Sequence, residues 1–148
     1  MKKILLAFFV ITFILFGCKK AGTSDNLDWE TNLEKALQKA QKENKTVLVN
    51  FTGSDWCIWC QRLSNEVFSQ KEFEEFAKEN LILVKIDFPK NIEQSLETKF
   101  YNNQLAQRFG VEGFPTIFLL DKNGEVLLQT GYQPGGPINY VNHLKSYM

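Results

Sequence analysis

The sequence predicts an α/β fold built on a central, partly parallel sheet, and three observations carry that prediction. Short β-branched and aliphatic runs alternate with stretches of helical periodicity, an order that requires crossover connections. Two of these runs, Thr46–Phe51 (TVLVNF) and Leu81–Asp87 (LILVKID), are apolar almost throughout, as strands covered on both faces are. The last two runs flank Asp121-Lys122-Asn123-Gly124, whose Asn-Gly pair accepts the positive φ angles of a tight hairpin and so predicts an antiparallel edge. The chain has 148 residues, enough for one domain with a full core. Hydrophobic residues make up 44% and charged residues 23%, as in an ordinary globular protein.

Each element has its own signal. From Leu27 the pattern turns helical, with Leu33, Ala36, Leu37 and Ala40 at 3.6-residue spacing and Glu and Lys between them; Asn44-Lys45 ends this helix. The strand Thr46–Phe51 follows, then the turn Thr52-Gly53-Ser54-Asp55. A second helix is expected from about Cys57, carrying Leu63 and Val67. Ser69-Gln70-Lys71-Glu72 has the form of a capping box, Ser69 as N-cap and Glu72 at N3, opening a helix through Phe73, Phe76 and Ala77. After the strand Leu81–Asp87, the polar stretch 88–99 reads as an exposed insertion. Gln104–Phe109 is expected to be helical and to close at Gly110. Thr116–Leu120 and Glu125–Thr130 form the hairpin. Pro134-Gly135-Gly136-Pro137 breaks the chain before a last amphipathic helix marked by Ile138, Val141 and Leu144. The expected order is α-β-α-α-β-α-β-β-α, without internal repeats.

The N-terminus lies outside this scheme. Lys2 and Lys3 precede Ile4–Phe16, which is apolar but for Thr12. The stretch is shorter than the roughly 20 residues a membrane helix needs and has the size of a signal-peptide core. Leu15-Phe16-Gly17-Cys18 resembles the lipobox of bacterial lipoproteins, which implies cleavage before Cys18 and lipidation of its thiol. Phe16 is bulkier than the usual residue at its position, and an uncleaved anchor is the competing reading. The expected organisation is a lipoprotein signal peptide over 1–17, a lipidated polar tether over 18–26 and a folded domain over 27–148. Loss of Lys2 and Lys3 with the leader leaves 15 basic against 17 acidic residues, a net charge of −2. No basic field is available to hold nucleic acid.

With Cys18 assigned to lipid, Cys57 and Cys60 remain, in SDWCIWC. A zinc site needs four protein ligands, or three plus water, and the chain adds only His143, in the last helix. His143 reads as a surface or half-buried helix residue. A structural staple is weakly motivated, because so short a loop removes little chain entropy. A redox dithiol explains more. The pair follows a strand and a turn and opens a helix, where unpaired N–H groups and the helix dipole favour a thiolate on Cys57. Cys60 lies one turn later on the same face, nearer the helix interior and less exposed. Cys57 can attack a disulfide and Cys60 can resolve the mixed disulfide that forms. The glycines form no GxGxxG pattern, so no nicotinamide or flavin site is expected, and no metal.

VLVNF, then WCxxC at a helix start, then Gly113-Phe114-Pro115-Thr116 entering a strand resembles the thioredoxin superfamily. FTGSDWCIWCQRL, FGVEGFPT and LDKNGE are similar to its exported bacterial members, over about residues 27–147. The resemblance implies a thioredoxin-like three-layer α/β/α fold, with a central mixed sheet and a C-terminal antiparallel hairpin. It also implies thiol–disulfide oxidoreductase activity, as reductase or isomerase, on protein disulfides outside the cytoplasm. Pro115 would be a cis proline beside the dithiol, and Trp56, Phe114, Pro115 and Thr116 would dock the client. Asn50 stands at the position where relatives often carry a buried acid that moves the proton of the second cysteine; an amide takes no proton, so water or another group must serve. The Ile58-Trp59 dipeptide lacks both the histidine of strongly oxidising relatives and the Gly-Pro of typical reductants; without the histidine the Cys57 thiolate is less stabilised, which favours a reductase or isomerase over an oxidase. The expected partners are disulfide-containing protein clients, an upstream membrane electron donor and, through Cys18, the membrane. The redox disulfide itself is the only expected cofactor. Two other functions fit the same residues: a non-catalytic binding or chaperone module, and a dedicated reductant in cytochrome c maturation.

Overall fold

The structure, a computed structural model, describes residues 27–148; the expected signal peptide, Cys18 and the tether lie outside the described residues. Along the chain run β1 (Trp29–Glu30), α1 (Leu33–Glu43), β2 (Thr46–Thr52) and α2 (Ile58–Leu63), which continues as a π-helical turn, Ser64–Phe68. Then come α3 (Lys71–Asn80), β3 (Leu81–Asp87), α4 (Leu96–Arg108), β4 (Thr116–Leu120), β5 (Val126–Thr130) and α5 (Gly136–Lys145). The five strands form one mixed sheet in the order β1-β3-β2-β4-β5. β3 runs parallel to both β1 and β2, while β4 is antiparallel to β2 and to β5.

The alternation of side chains along β2 divides the core into two layers. Val47, Val49 and Phe51 point to one face, where they pack with Leu33, Ala36 and Ala40 of α1 and Leu105 of α4. Leu48 points to the other, with Leu63, Val67, Phe73, Ala77, Val141 and Leu144 from α2, the π turn, α3 and α5. Helices thus cover both faces of the sheet, the three-layer α/β/α arrangement the family resemblance implied.

Several local expectations are corrected. The chain does not turn helical at Leu27: Trp29 and Glu30 pair with Leu83 and Val84 as an edge strand, a long-range bond that two residues of sequence do not announce. Helix α1 starts later, where Asn32 Oδ1 accepts the Lys35 N–H at 2.8 Å, and ends on Asn44 in the left-handed region at φ 53°. Ser69 is not the N-cap of α3. Its hydroxyl donates back to the Asn65 carbonyl at 3.0 Å, because the π turn delivers that carbonyl to it, and Gln70 caps α3 without a side-chain bond. The stretch 88–99 is not a simple exposed insertion. Ser95 accepts the Thr98 N–H and starts α4, which is far longer than Gln104–Phe109. That helix closes at Gly110, φ 63°, as expected. In the hairpin, Gly124 alone of the Asn-Gly pair takes positive φ, 93°; Asp121 Oδ1 holds the turn by accepting the N–H groups of Asn123 and Glu125, and a bulge at Leu119/Leu120 absorbs the mismatch. On α5 Tyr140 is buried with Val141 and Leu144, while Ile138 is exposed.

Tyr101 joins the two helices of one layer. Its hydroxyl accepts the Leu33 N–H at 2.7 Å, satisfying a free donor at the start of α1, and donates to the Glu34 carboxylate at 2.7 Å. Burial, and then the Glu34 bond, push its pKa from 10 up to about 12. The unfolded chain loses this proton near pH 10 while the native state keeps it. The stability from Tyr101 is therefore complete below pH 10 and is lost between about pH 10 and 12. Tyr101→Phe will flatten that part of the alkaline fall, measured by denaturant unfolding from pH 9 to 11.5 against the parent.

Candidate active site: the dithiol at the end of β2

Strand β2 ends on Thr52, and the turn after it closes on one carbonyl. The N–H groups of Trp56 and Cys57 both donate to Gly53 O, at 3.2 and 2.8 Å. A Cβ at Gly53 would meet the Trp56 indole at 2.6 Å, so a larger residue there requires the indole to shift. Cys57 is the N-cap of α2, with extended backbone (φ −84°, ψ 107°), and its Sγ accepts the Cys60 N–H at 3.2 Å. A backbone donor aimed at this sulfur favours its anionic form. Cys57 and Cys60 form a disulfide across a Cα–Cα distance of 5.2 Å. The expected contrast in exposure is absent: Cys57 is 6% and Cys60 5% exposed.

That rim is aromatic. Trp56 is 41%, Ile58 63% and Trp59 49% exposed, an apolar surface around two buried sulfurs. Trp56 donates its indole N–H to the Phe88 carbonyl at 2.8 Å and lies edge-on to Phe114, ring centroids 6.0 Å apart. Phe114 stacks on Phe88 at 5.0 Å, and the Lys90 ammonium sits 3.9 Å from the centre of the Trp56 ring. The Phe114–Pro115 peptide is cis. Phe51↔Thr116 is the last pair between β2 and β4, so Pro115 lies at the sheet end where β2 enters the cysteine turn. The Thr116 hydroxyl donates to Gly113 O at 2.7 Å and braces this loop. The structure thus brings Trp56, Phe114, Pro115 and Thr116 to the end of the sheet that carries the dithiol.

Other residues of the site had no sequence signal. The stretch after β3 is tied to the cysteine turn by Asp55, whose carboxylate accepts the N–H groups of Lys90 (2.9 Å) and Asn91 (2.6 Å). The Lys90 bond, then the Asn91 bonds, hold its carboxyl below the usual carboxylate range. Asp87, at the end of β3, accepts from both N–H and hydroxyl of Ser54. On the far side Trp59 packs on Tyr132, centroids 5.3 Å apart, under the Arg62 guanidinium, and Tyr132 donates to Glu66 at 2.6 Å. None of these pairs is adjacent in sequence, and no short motif announces them. His143 is half-buried on α5, its Nε2 3.2 Å from Thr130 Oγ1 and 2.9 Å from Gln133 Nε2.

Beneath Cys60 is a cavity of about 270 Å³, bounded by Asn50, Lys85, Trp29 and Ser64 among others. Asn50 is 6% exposed, and no protein group hydrogen-bonds its Oδ1. Among the described residues no cluster of three or more His, Cys, Asp and Glu side chains comes together.

A thioredoxin-like fold that holds a cysteine pair at disulfide distance on the first turn of a helix defines a thiol–disulfide oxidoreductase. The chain belongs to the thioredoxin-like domain family, whose model matches residues 33–141. It is similar to the disulfide bond reductase DsbH of Chlamydia pneumoniae, with 37% identity over 121 residues, covering 82% of this chain and 72% of that one. A solved structure titled DsbH oxidoreductase superposes with a TM-score of 0.77 at 37% identity, covering 82% of this chain and 84% of the other. The thioredoxin-related protein DsbJ of the same organism is 27% identical over 108 residues, 73% of this chain but 31% of DsbJ.

Proposed function

We propose that the protein is a reductase of protein disulfides that works outside the cytoplasm, tethered to a membrane through lipid on Cys18. The observation that carries the reading is the dithiol itself. Cys57 heads α2 with a backbone donor on its sulfur, Cys60 lies one turn behind at disulfide distance, and exposed Trp56, Ile58 and Trp59 surround them. In the reduced protein the Cys57 thiolate attacks a client disulfide, forming a Cys57–client disulfide and releasing one client thiolate, which takes a proton from solvent. Cys60 then attacks Cys57 Sγ, closing the internal disulfide and releasing the second client thiol. Two electrons pass to the client, and a membrane dithiol donor must return them.

Trp56 and the Phe114–Thr116 loop dock the client segment as an added strand, since the loop before β4 presents backbone at a sheet end next to the sulfurs. The reducing direction is supported by the lack of histidine between the cysteines and by the likeness to DsbH, a disulfide bond reductase. The leader over 1–17, with Gly17 before Cys18, supports export and tethering.

The test is the reduction potential of the Cys57–Cys60 couple, equilibrated against glutathione and read from Trp fluorescence. A value within a few tens of mV of thioredoxin's, about −270 mV, is expected. A value near about −120 mV, that of the strong oxidant DsbA, overturns the direction of electron flow.

A further inference from the structure

Residues 88–91 are fastened to the cysteine turn more closely than a loop between a strand and a helix requires. The Phe88 N–H donates to Thr52 O at 2.8 Å, which carries the β2–β3 ladder past the end of β3. Phe88 O accepts the Trp56 indole N–H at 2.8 Å. The N–H groups of Lys90 and Asn91 both reach the Asp55 carboxylate, at 2.9 and 2.6 Å. Pro89 has no N–H and a fixed φ, so every backbone donor of the segment is bonded to the end of β2 or to the turn beside Cys57.

The result is the placement of one charge. Lys90 is an exposed residue, yet its ammonium lies on the face of Trp56, 3.9 Å from the ring centre. Trp59 also carries a cation, the Arg62 guanidinium at 5.2 Å, but Arg62 is paired with Glu66 at 3.5 Å. Among the described residues no carboxylate pairs with the Lys90 ammonium. The nearby acids Asp55 and Asp87 are engaged by the N–H groups of 90–91 and by Ser54. Glu93 and Glu112 are exposed on the flanking loops and are the competing charges. A lysine already fixed on an aromatic face loses less rotamer freedom on meeting a partner than one that swings in solvent.

We propose that Lys90, locked over Trp56 by the Asp55 clasp, makes the docking surface select client segments that carry a carboxylate next to the reacting cysteine. The inference rests on the oxidoreductase reading above and on the docking of clients along Trp56. A client chain that brings its disulfide to Cys57 passes the Trp56 ring, and a Glu or Asp beside its cysteine meets the ammonium on that ring. The contact steers the encounter and fixes its register more than it adds affinity. Asp55 acts at one remove, as a positioning residue: it holds the backbone from which the lysine reaches the ring, and its own charge is engaged by two N–H groups.

The experiment uses cyclic peptides closed by one disulfide and identical but for Glu, Gln or Lys beside one cysteine. The reduced full chain, in mild detergent and with Cys18→Ser in every sample, is mixed with each peptide. Each second-order rate constant is divided by that of dithiothreitol with the same peptide. The parent is expected to favour the Glu over the Lys peptide about tenfold at low salt, and to lose the preference near 1 M salt, where the screening length is about 3 Å. Lys90→Met is expected to bring the ratio below about threefold, and Lys90→Glu to invert it. Asp55→Ala is expected to lower the ratio to about threefold. Loss of a carboxylate would by charge alone raise the preference for acid, so a fall reports loss of the clasp. Each ratio is taken within one variant, so a loss of packing common to all peptides cancels. A parent ratio near one, a ratio that stays near tenfold in Lys90→Met, or one that does not fall in Asp55→Ala overturns the proposal. A parent preference for the Lys peptide also overturns it and assigns selection to Glu93 and Glu112. A parent that reduces none of the peptides sinks the oxidoreductase reading itself, a different failure from that of Lys90.

Discussion

Cys57→Ser will abolish disulfide exchange, and Cys60→Ser will turn the protein into a trap. In the first variant the thiolate that begins each turnover is gone, and insulin reduction in the presence of a small dithiol should fall at least roughly a thousandfold, to the rate without protein. In the second variant Cys57 still attacks, but nothing resolves the product, so client–Cys57 disulfides should accumulate in cells and collapse on reduction. Non-reducing gels and mass spectrometry of the trapped species read this directly. The two variants separate catalysis from mere holding: a chaperone module would keep its clients in both and trap neither covalently. No trapped species with Cys60→Ser, together with no insulin reduction by the parent, rules against an enzyme. The identity of the trapped clients would also show whether cytochrome c maturation is the pathway served.

The second large effect is on stability. Phe51→Ala will cost about 3–5 kcal/mol. Phe51 is fully buried near the end of β2 and meets Phe109 at 5.7 Å and Phe118 at 5.9 Å between ring centroids. Truncation removes apolar contact on three elements at once and leaves a hole that a central strand cannot close. Domains of this size are stable by about 5–15 kcal/mol, so the loss takes a large share of the total. Urea unfolding will show the midpoint fall, and the dithiol will become easier to reduce, since β2 carries the cysteine turn. A loss under about 1 kcal/mol would mean that the aromatic layer repacks around the gap.

Much of this architecture was legible along the chain. The runs Thr46–Phe51 and Leu81–Asp87 were readable as strands because central parallel strands are apolar on both sides, which leaves a continuous signal. Helix α1 was readable because its inner face repeats at Leu33, Ala36 and Ala40. The elements misread are those whose form depends on distant partners. Two residues make β1 only because Leu83 and Val84 offer an edge. Helix α4 hides its apolar face: Leu96 and Phe100 are exposed while Asn102 is buried, its amide donating to Asp87 O. Ser69 and Glu72 satisfy the capping-box spacing, yet the π turn before them takes the hydroxyl for Asn65. Local patterns are weak wherever a longer-range bond competes for the same group.

The sequence by itself determined the cysteine pair, its place between a strand and a helix, and the Gly-Phe-Pro-Thr segment, because each is a short run whose chemistry is local. It also determined the fold class, since hydrophobic period and element order suffice to exclude most other sheet topologies. Only the tertiary structure decided what surrounds the sulfurs. The Phe88–Phe114–Trp56 stack, the Asp55 clasp on Lys90 and Asn91, and the Trp59–Tyr132 contact join segments far apart in sequence. Lys85 is one polar residue in an apolar run until parallel pairing sets it beside Asn50. Strand register fixes which side chains share a face and a cavity, and register is settled by packing across the whole sheet rather than by any residue's neighbours along the chain.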